Sequence, residues 1–384
     1  MTQKNDMKIY YVVNARLPTE KAHGIQIAKM CEALIEQGMA LELIVPRRGR
    51  DFRTLREFYG LRVDVPMTRL WVPDWYGSRI GFAVSSLFFA VRYFFHLWRK
   101  EKSGEPRIIY TTDLDQFSFF LIPFLGVPYF VEMHDAKKKT VPFSLLLNRA
   151  RGIIVINGII KRELTDVFKL KDDVLLVLPN GVDLSMFRSQ ESVESARAAL
   201  DISKSRTIAM YMGRVYVWKG LDVLPAVASK LPDVLFYIVG GTAEEMRAIG
   251  AMDKQPENLI CVGLRPFQEI PRWLRAADVL IATGTNKNAY SFLHTSPMKL
   301  FEYAAAERPI VAARTPAIEQ IFPEQSVFFY QPDSSDDMVK QIKLVLGDAI
   351  SRVSHFTRAY QEIELYYQWE NRARFALGFI RKRI

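Results

Sequence analysis

The sequence predicts an α/β protein built from two doubly wound, parallel-sheet domains. With 384 residues, the chain exceeds the size at which one hydrophobic core usually stops growing. Short apolar segments typical of strands alternate with helical segments, and strands joined through helices lie parallel in one sheet. The alternation occurs in two series, which a polar stretch separates.

The first series begins with the strand KIYYVV, the helix-patterned KAHGIQIAKMCEALIEQG and a second strand, LELIVP. Apolar residues recur at helical spacing through the middle segment, and Gly38 at its end is a common helix terminator. Further strands are expected at RIIYTT, VPYFVEMH, GIIVIN and VLLVLPN. This series predicts an N-terminal domain over residues 1–185.

The second series follows a linker expected at residues 186–204, which are rich in Ser, Glu and Arg. It predicts a C-terminal domain over residues 205–355. The strands are expected at TIAMYMG, VLFYIVGG, LICVG, DVLIAT and PIVAA, and the helices at GLDVLPAVASKL, FQEIPRWLRAA and PMKLFEYAAAE. Residues 360–384 form a helical, aromatic and basic tail, which we expect to pack back on the first domain.

One apolar stretch resembles a membrane span: IGFAVSSLFFAVRYFFHLW, residues 80–98. As a helix it would be about 28 Å long, close to the hydrocarbon thickness of a bilayer. Arg92 near its middle would be costly in lipid, and a core-like strand follows. A helix inside the domain is therefore favoured, while a helix in the plane of a membrane and a membrane span stay open.

Composition and charge restrict the class of protein. The chain is 49% hydrophobic and 24% charged, as in soluble globular proteins, which excludes disordered and fibrous classes. Its net charge is +10, and residues 1–180 hold 27 Lys and Arg against 19 Asp and Glu, which favours contact with phosphates. The charged residues before KIYYVV do not read as a signal peptide, and Cys31 and Cys261 lack a metal-ligand spacing. We therefore expect a reduced, cytoplasmic setting.

Two cations follow a predicted strand in YMGRVYVWKG. Gly213 ends the strand, Arg214 comes next, and Lys219 lies just before a helix predicted to start near Gly220. A guanidinium, an ammonium and free helix amides at the carboxyl edge of a parallel sheet suit a diphosphate. Ordinary surface charge on a loop is the alternative, and this motif alone does not decide between them.

A second motif, SPMKLFEYAAAERPIVA, occupies residues 296–312. Pro297 is favoured in a first helical turn, so residues 298–300 are expected to have unpaired backbone amides that face an anion. Glu302 is expected inside a largely buried helix, where a carboxylate needs partners. Ligand hydroxyls would serve, and a cap of its own helix or an ion pair with Arg308 is the alternative.

In this order, LPNGVD, GRVYVWKG, FQEIPRWLRAADVLIA and SPMKLFEYAAAERPIVA resemble the retaining, nucleotide-sugar-dependent glycosyltransferases of family four, also called group one. The resemblance covers nearly the whole chain, and its last motif is the most specific. It implies the GT-B fold, in which two Rossmann-like domains face a central cleft.

The resemblance also implies roles for single residues. Arg214, Lys219 and the amides of the SPMKLFEY helix would hold the leaving diphosphate, Glu302 would bind the ribose, and VGLRPF would line the base pocket. His134, at the end of VPYFVEMHD, would contact the transferred sugar, and KAHGIQ would supply a loop that meets donor or acceptor. The expected catalytic residues are Arg214, Lys219 and His134, the donor-binding residues are Gly213, Gly263, Leu264, Arg265, His294, Ser296, Pro297, Met298, Lys299, Leu300 and Glu302, and the loop residues are His23 and Gly24.

Two positions depart from the family pattern. His294 stands eight residues before Glu302, where many members have a glutamate that contacts the transferred sugar. Because histidine can donate or accept toward a hydroxyl, we expect an altered donor preference. Glu307 stands where the family usually has glycine, and a non-glycine residue in a left-handed helix end costs about 1 kcal/mol.

The sequence thus predicts a retaining, metal-independent glycosyltransferase with no cofactor other than its nucleoside diphosphate sugar donor. Asp113 and Asp115 in TDLDQ have the form of a metal motif, but helix caps are favoured. The basic first domain and the stretch 80–98 suggest a saccharide or lipid-linked precursor of surface polysaccharide as acceptor. They also suggest an anionic membrane surface as partner, with the protein in the cytoplasm or peripheral on the inner face of the membrane.

Nothing in the sequence resembles a nucleic-acid-reading module, so no nucleic acid partner is expected. Two alternatives to the transferase stay open: a catalytically silent scaffold that binds sugar nucleotides, and a GT-B sugar-nucleotide epimerase. The replacement of a family glutamate by His294 is what keeps the scaffold open.

Overall fold

A computed structural model describes residues 7–49, 53–75, 77–100, 106–112, 115–188 and 191–384. The chain divides into two compact units. The first consists of Met1–Pro179 together with Trp369–Ile384, and the second consists of Asn180–Gln368.

The first unit contains a seven-stranded parallel sheet. Its strands are β1 Lys8–Val13, β2 Ala40–Arg47, β3 Met67–Trp71, β4 Arg107–Thr112, β5 Tyr129–Met133, β6 Gly152–Val155 and β7 Leu175–Val177. Its helices are α1 Ala22–Glu36, α2 Leu55–Tyr59, α3 Arg79–Lys100, α4 Gln116–Phe119, α5 Val141–Arg149, α6 Gly158–Phe168 and, at the end of the chain, α16 Trp369–Arg381. The strand order is β3-β2-β1-β4-β5-β6-β7.

The second unit contains a six-stranded parallel sheet. Its strands are β8 Thr207–Met212, β9 Val234–Val239, β10 Leu259–Gly263, β11 Val279–Ala282, β12 Ile310–Ala313 and β13 Phe328–Tyr330. Its helices are α7 Leu184–Phe187, α8 Val193–Ala199, α9 Val223–Lys230, α10 Ala243–Ala248, α11 Ile270–Ala276, α12 Met298–Ala305, α13 Pro316–Glu319, α14 Ser335–Gly347 and α15 Ala349–Tyr366. The strand order is β10-β9-β8-β11-β12-β13.

Both sheets reverse their strand order once, between β1 and β4 in the first unit and between β8 and β11 in the second. The central strands are buried on both faces, which explains their continuous apolar runs. In open sheets of this kind, ligands bind outside the carboxyl ends of the strands at the point of reversal. The predicted doubly wound fold is confirmed, and it designates these two edges as candidate sites.

The boundary between the units differs from the predicted linker at residues 186–204. Within that segment α8 packs on the second unit: Ala196 is fully buried, and the Arg197 guanidinium lies 2.7 Å from Asp278. Residues 189–190 lie outside the described residues. The chain instead crosses at Pro179–Asn180 and returns at Gln368–Trp369, so α15 belongs to the second unit and α16 packs on α1 in the first.

Helix α3 corresponds to the apolar stretch, and it is buried on one face only. Phe89, Tyr93 and Leu97 pack into the core of the first unit. Among the described residues α3 is the one helix long and apolar enough to cross a membrane, with a mean hydropathy of 1.5 and one third of that window buried. The prediction of an interior helix is therefore correct for one face of α3, while the opposite face is exposed.

Candidate functional site

The loop from Arg214 to Lys219 follows β8 at the strand reversal of the second unit. Gly213 has a φ of +135° and turns the chain out of the strand. The Lys219 ammonium returns to donate to the Arg214 carbonyl at 2.9 Å and lies 5.0 Å from the centre of the Tyr216 ring. Lysine and arginine are thus held side by side at the carboxyl edge of the sheet.

The helix predicted to begin near Gly220 begins later, at Val223. Residues Val217–Lys219 form a 3-10 turn, which ends at Gly220 with a φ of +66°. A Cβ at this position would lie 2.7 Å from the Gly284 carbonyl oxygen, so the close packing of two loops requires glycine here. Lys219 therefore reaches the sheet edge from a tight turn.

Three cations meet at this edge. Burial, together with the nearby positive charge of Arg214, lowers the pKa of Lys219 to about 8. The Lys299 ammonium lies 3.9 Å from the centre of the Tyr211 ring, and burial, together with Lys219, holds its pKa well below the usual range. Positive groups that disfavour one another's charge in this way are suited to bind an anion with more than one charge.

Helix α12 begins at Met298, and Pro297 is its extended cap residue rather than part of its first turn. Leu300 donates its backbone amide to the Pro297 carbonyl at 3.0 Å. The prediction of unpaired amides over residues 298–300 is therefore wrong for Leu300, because the first turn closes on the cap. The expected anion contact rests on Met298 and Lys299.

Asn180 fixes the residue before this cap. Its backbone amide donates to Oγ of Ser296 at 3.2 Å, and its side-chain amide donates to the Ser296 carbonyl at 2.8 Å. The sequence motif LPNGVD was noticed only as part of a resemblance, and this positioning role was missed. A buried asparagine directly after a strand was the available signal.

Tyr303 fixes the same helix from its other side. Its hydroxyl accepts the Met212 amide at 2.8 Å and lies 3.3 Å from the Ile281 carbonyl, so α12 is bonded to both β8 and β11. The first turn of α12 and the Arg214–Lys219 loop are thereby both fixed relative to strand β8.

Glu302 projects from α12 and accepts no hydrogen bond from the described residues. Burial raises the pKa of its carboxyl to about 7, and Lys299 opposes that rise. The alternative partner Arg308 instead donates to the Arg275 carbonyl at 3.0 Å. A half-buried carboxylate with free acceptor oxygens is suited to bind ligand hydroxyls.

The segment at the end of β10 lies on the same edge, since the strands are parallel. Gly263, with a φ of +73°, exchanges backbone hydrogen bonds with Gly240 and Gly241 at 2.8 and 2.9 Å. Leu264 is 51% exposed, and the exposed Arg265 guanidinium lies 5.8 Å from the Trp273 ring. These side chains are free to contact a flat ligand group.

His294 ends a π-helical turn formed by Tyr290–His294. Tyr290 makes an edge contact with Trp218, with ring centres 5.1 Å apart, and Trp218 stacks on Tyr216. The turn that carries His294 is thus attached to the Arg214–Lys219 loop by aromatic packing. Glu307, in the left-handed region with a φ of +53°, adopts the predicted helix-end conformation.

At the carboxyl edge of the first unit, His134 follows β5 and is bound by a buried carboxylate. Its Nε2 lies 2.6 Å from Oε1 of Glu132, which also accepts from Gln26 and Arg372 at 2.8 Å each. Burial would raise the pKa of Glu132, but Arg372 and His134 hold it well below its usual range. Sequence reasoning missed Glu132 and Arg372, since residues 240 positions apart gave no local signal.

His23 and Gly24 lie in the first turn of α1 rather than in a loop. A Cβ at Gly24 would overlap the Tyr59 hydroxyl and the Thr19 side chain, so protein atoms approach this glycine closely. Burial lowers the pKa of His23 to about 4, and the nearby Lys21, His134 and Arg16 act in the same direction. His23 and His134 therefore share one region of this unit.

The Asp-X-Asp motif is only partly described. Asp115 accepts the amides of Phe117 and Ser118 at 2.9 Å each and so caps α4, as predicted. Asp113 lies outside the described residues. Within the described ranges, no group of three His, Cys, Asp or Glu side chains is arranged to hold a metal ion.

Comparison with protein families gives two matches that together span most of the chain. A model of glycosyltransferase family 4 matches residues 24–186, and a model of group 1 glycosyl transferases matches residues 206–348. The chain belongs to the group 1 glycosyltransferases. The resemblance drawn from the motif order is confirmed for this glycosyltransferase.

Curated relatives of the glycosyltransferase are distant. It is 24% identical over 262 residues to alpha-galactosylglucosyldiacylglycerol synthase of Streptococcus pneumoniae, covering 64% of this chain and 65% of the relative. It is 26% identical over 181 residues to D-inositol 3-phosphate glycosyltransferase of a Mycobacterium species, covering 44% and 38%. The matches thus span less than two thirds of the length of these relatives.

Solved structures share the fold over almost the whole glycosyltransferase. Sucrose-phosphate synthase of Thermosynechococcus elongatus has a TM-score of 0.76 and 16% identity, covering 98% of each chain. Anabaena Alr3699/HepE in complex with UDP has a TM-score of 0.74 and 15% identity, covering 98% of this chain and 100% of that one. The two parallel-sheet units are those of the GT-B fold.

Proposed function

We propose that the protein transfers a sugar from a nucleoside diphosphate sugar to an acceptor hydroxyl, with retention of anomeric configuration. The observation that carries this proposal is the group of Arg214, Lys219 and Lys299 beside the unpartnered carboxylate of Glu302. Cations suit a diphosphate, and a carboxylate suits ribose hydroxyls, so one edge of the second unit matches both ends of a nucleotide. The Anabaena relatives bound to UDP and UDP-glucose support this class of donor.

The same groups supply the main catalytic effect. When the bond between sugar and diphosphate breaks, negative charge develops on the leaving phosphate, and fixed cations stabilise that charge without reorganising. Arg214 and Lys219 take this role, and the amides of Met298 and Lys299 add to it. Because these groups neutralise the leaving phosphate, we propose turnover without a metal ion, which is tested by assay in the presence of EDTA.

The remaining site residues orient the sugar and the base in this proposal. His134, held through Nε2 by Glu132, presents Nδ1 to a sugar hydroxyl. His294 contacts the transferred sugar in this proposal and contributes to the choice of donor. Gly263, Leu264 and Arg265 border the base, where the open backbone of Gly263 permits close approach.

The decisive variant is Arg214→Ala, assayed with a panel of UDP, GDP and ADP sugars. We expect a loss of turnover of about 100-fold or more, because one preorganised charge is removed from the leaving group. Arg247→Ala is the matched control, since Arg247 is exposed on α10 and its ion pair among the described residues is the local one with Glu244. The control should retain full turnover.

The outcomes also separate the alternatives. Turnover that is absent in the unaltered protein, with nucleotide binding retained, would favour a sugar-nucleotide-binding scaffold. A free C2 epimer as the only product would favour an epimerase. Equal turnover of Arg214→Ala and Arg247→Ala would contradict the assigned leaving-group role.

For the acceptor we propose a saccharide or lipid-linked precursor of surface polysaccharide, handled in the cytoplasm at the inner membrane face. Support comes from relatives described as a glycolipid synthase of Streptococcus pneumoniae and a teichuronic acid biosynthesis glycosyltransferase of Bacillus subtilis. The basic first unit agrees with an anionic acceptor. Radiolabelled sugar transfer into a lipid extract, compared with transfer to soluble saccharides, tests this part.

A further inference from the structure

The exposed face of α3 is apolar along its whole length. Its stripe consists of Ile80, Leu87, Phe88, Val91, Phe95 and Trp98, each of which is more than one third exposed. These positions recur at helical spacing and lie opposite the buried Phe89, Tyr93 and Leu97. From Ile80 to Trp98 the stripe runs about 27 Å at 1.5 Å per residue. Contiguous exposed apolar surface of this extent indicates an interaction site.

Two exposed tryptophans precede α3 in the chain, and Trp75 lies at its N-terminal end. Trp71 ends the edge strand β3, and Trp75 lies against Gly81 of α3, where a Cβ would overlap the Trp75 carbonyl. Both indoles are more than half exposed. Tryptophan favours the boundary between water and lipid, because its ring is apolar and its N–H is polar.

Cations border the stripe and no anion interrupts it. Arg79, Arg92 and Arg99 are exposed on α3, and the helix contains no aspartate or glutamate. Arg92 and Arg99 lie on neighbouring rows beside the stripe, so their long side chains can reach past the apolar residues to a polar layer.

The charge of the first unit reinforces this border. Residues 1–179 and 369–384 contain 32 Lys and Arg against 20 Asp and Glu, whereas residues 180–368 contain 20 against 22. All of the excess positive charge thus belongs to the unit that carries α3. An anionic surface would attract this unit selectively.

We propose that α3 docks the protein on an anionic lipid bilayer, lying in the plane of the interface with its apolar stripe in the acyl boundary. A span is incompatible with the buried face, which packs on the protein's own core. A second copy of the chain is disfavoured as the occupant, since a two-fold contact through this face would bring arginines of equal charge together. The inference does not depend on the proposed donor chemistry.

The experiment is co-sedimentation of the full chain with vesicles of phosphatidylcholine, alone or mixed with phosphatidylglycerol, at low and high salt. The test variant is Ile80→Glu with Val91→Glu, both on the stripe. The matched control is Ile350→Glu with Val353→Glu on α15 of the second unit, where both side chains are also exposed. Both variants replace one isoleucine and one valine and add equal charge.

The unaltered protein and the control should bind the anionic vesicles, and salt should weaken that binding. The stripe variant should lose about tenfold or more in partitioning, since two charges would enter the acyl boundary. Equal binding of the two variants, or no binding of the unaltered protein at low salt, would overturn the proposal. So would a dimer of the unaltered protein in free solution that the stripe variant converts to monomers.

A second variant, Arg92→Gln with Arg99→Gln, distinguishes a specific loss of vesicle binding from misfolding, because it leaves the apolar residues in place. It should bind anionic vesicles less tightly and show a weaker salt dependence. Unchanged binding would contradict the assigned lipid charge. Vesicle binding is measured without donor, so a failed transferase assay leaves this result unaffected.

Discussion

Glu302 shows how a single side chain links stability to ligand binding. Its carboxyl is half-buried, and burial raises its pKa to about 7 from an ordinary 4.5. A group whose pKa is raised by folding stabilises the folded state most below its ordinary pKa, and this contribution is lost as the pH rises through the raised value. The ionised carboxylate therefore costs stability at neutral pH until a ligand donates to it.

Glu302→Gln tests this cost. Near pH 8 the variant should be more stable than the unaltered protein by about 2 kcal/mol, less than the full shift implies because the side chain is partly exposed. Near pH 4, below the ordinary pKa of 4.5, the two should melt together, since the carboxyl is then mostly neutral in both the folded and the unfolded state. Thermal denaturation across this range measures the difference, and a variant less stable at pH 8 would contradict the pKa assignment. Binding of UDP should weaken in the same variant.

Helix α12 depends on contacts that hold its first turn in place. Asn180 bonds Ser296 twice, and the Tyr303 hydroxyl joins β8 to β11. Two amides of a short helix can meet a phosphate only if the helix end is fixed relative to the cations beside it. The element is therefore positioned by side chains that do not touch the ligand.

Asn180→Ala should lower stability by about 1–3 kcal/mol and weaken UDP binding about tenfold, because the buried Ser296 carbonyl loses the side-chain amide that donates to it, while the backbone amide of residue 180 still donates to Oγ of Ser296. Asn258→Ala is the matched control. Its side-chain amide donates to the carbonyls of Ala228, Leu231 and Val234 in the same unit, away from α12. Thermal denaturation should show a similar loss of stability in the control, and calorimetric titration should show that its affinity for UDP is retained. Equal loss of affinity in both variants would contradict a positioning role.

At the level of elements, the sequence was sufficient for the central strands, but the edge strands β3 and β13 and the helix starts were not predicted correctly. Strands such as β8 and β11 are buried on both faces, so their apolar runs are visible without neighbours. The start of α9 depended on the close packing of Gly220 against the Gly284 carbonyl. The hydrogen bond from the Leu300 amide depended on the extended conformation of Pro297. Such details are set by packing between segments distant in the chain. The same holds for Glu132 and Arg372, while Arg214 and Lys219 were found because a single loop contains both.

For the whole molecule, the first unit is discontinuous and its last segment returns to the core. Arg372 of α16 is 1% exposed, binds Glu132 and donates to the carbonyls of Leu178 and Pro179 at 3.4 and 2.8 Å. Pro179 is the residue at which the chain leaves this unit. The Arg372 guanidinium thus links α16 to strand β5 and to the segment through which the chain leaves the first unit.

Glu132→Ala or Arg372→Ala should each destabilise the protein by about 3–5 kcal/mol, since either leaves a buried charge unpaired. The double variant should cost less than the two single losses added together, and denaturant titration measures that coupling. The exposed pair of Lys230 and Asp336, 2.7 Å apart, is the control and should couple by about 1 kcal/mol or less. Additive losses at Glu132 and Arg372 would contradict the pairing.

The return of α16 to the first unit limits how such chains can exchange parts. A recombination event at the Pro179–Asn180 crossing would join one parent's Glu132 to another parent's Arg372, since the second unit and the tail would be inherited together. A hybrid would fold well only if both parents conserved this buried pair or if a second exchange near Gln368 restored the original tail. The two units can therefore be reassorted as modules only through two crossovers, one at each passage of the chain.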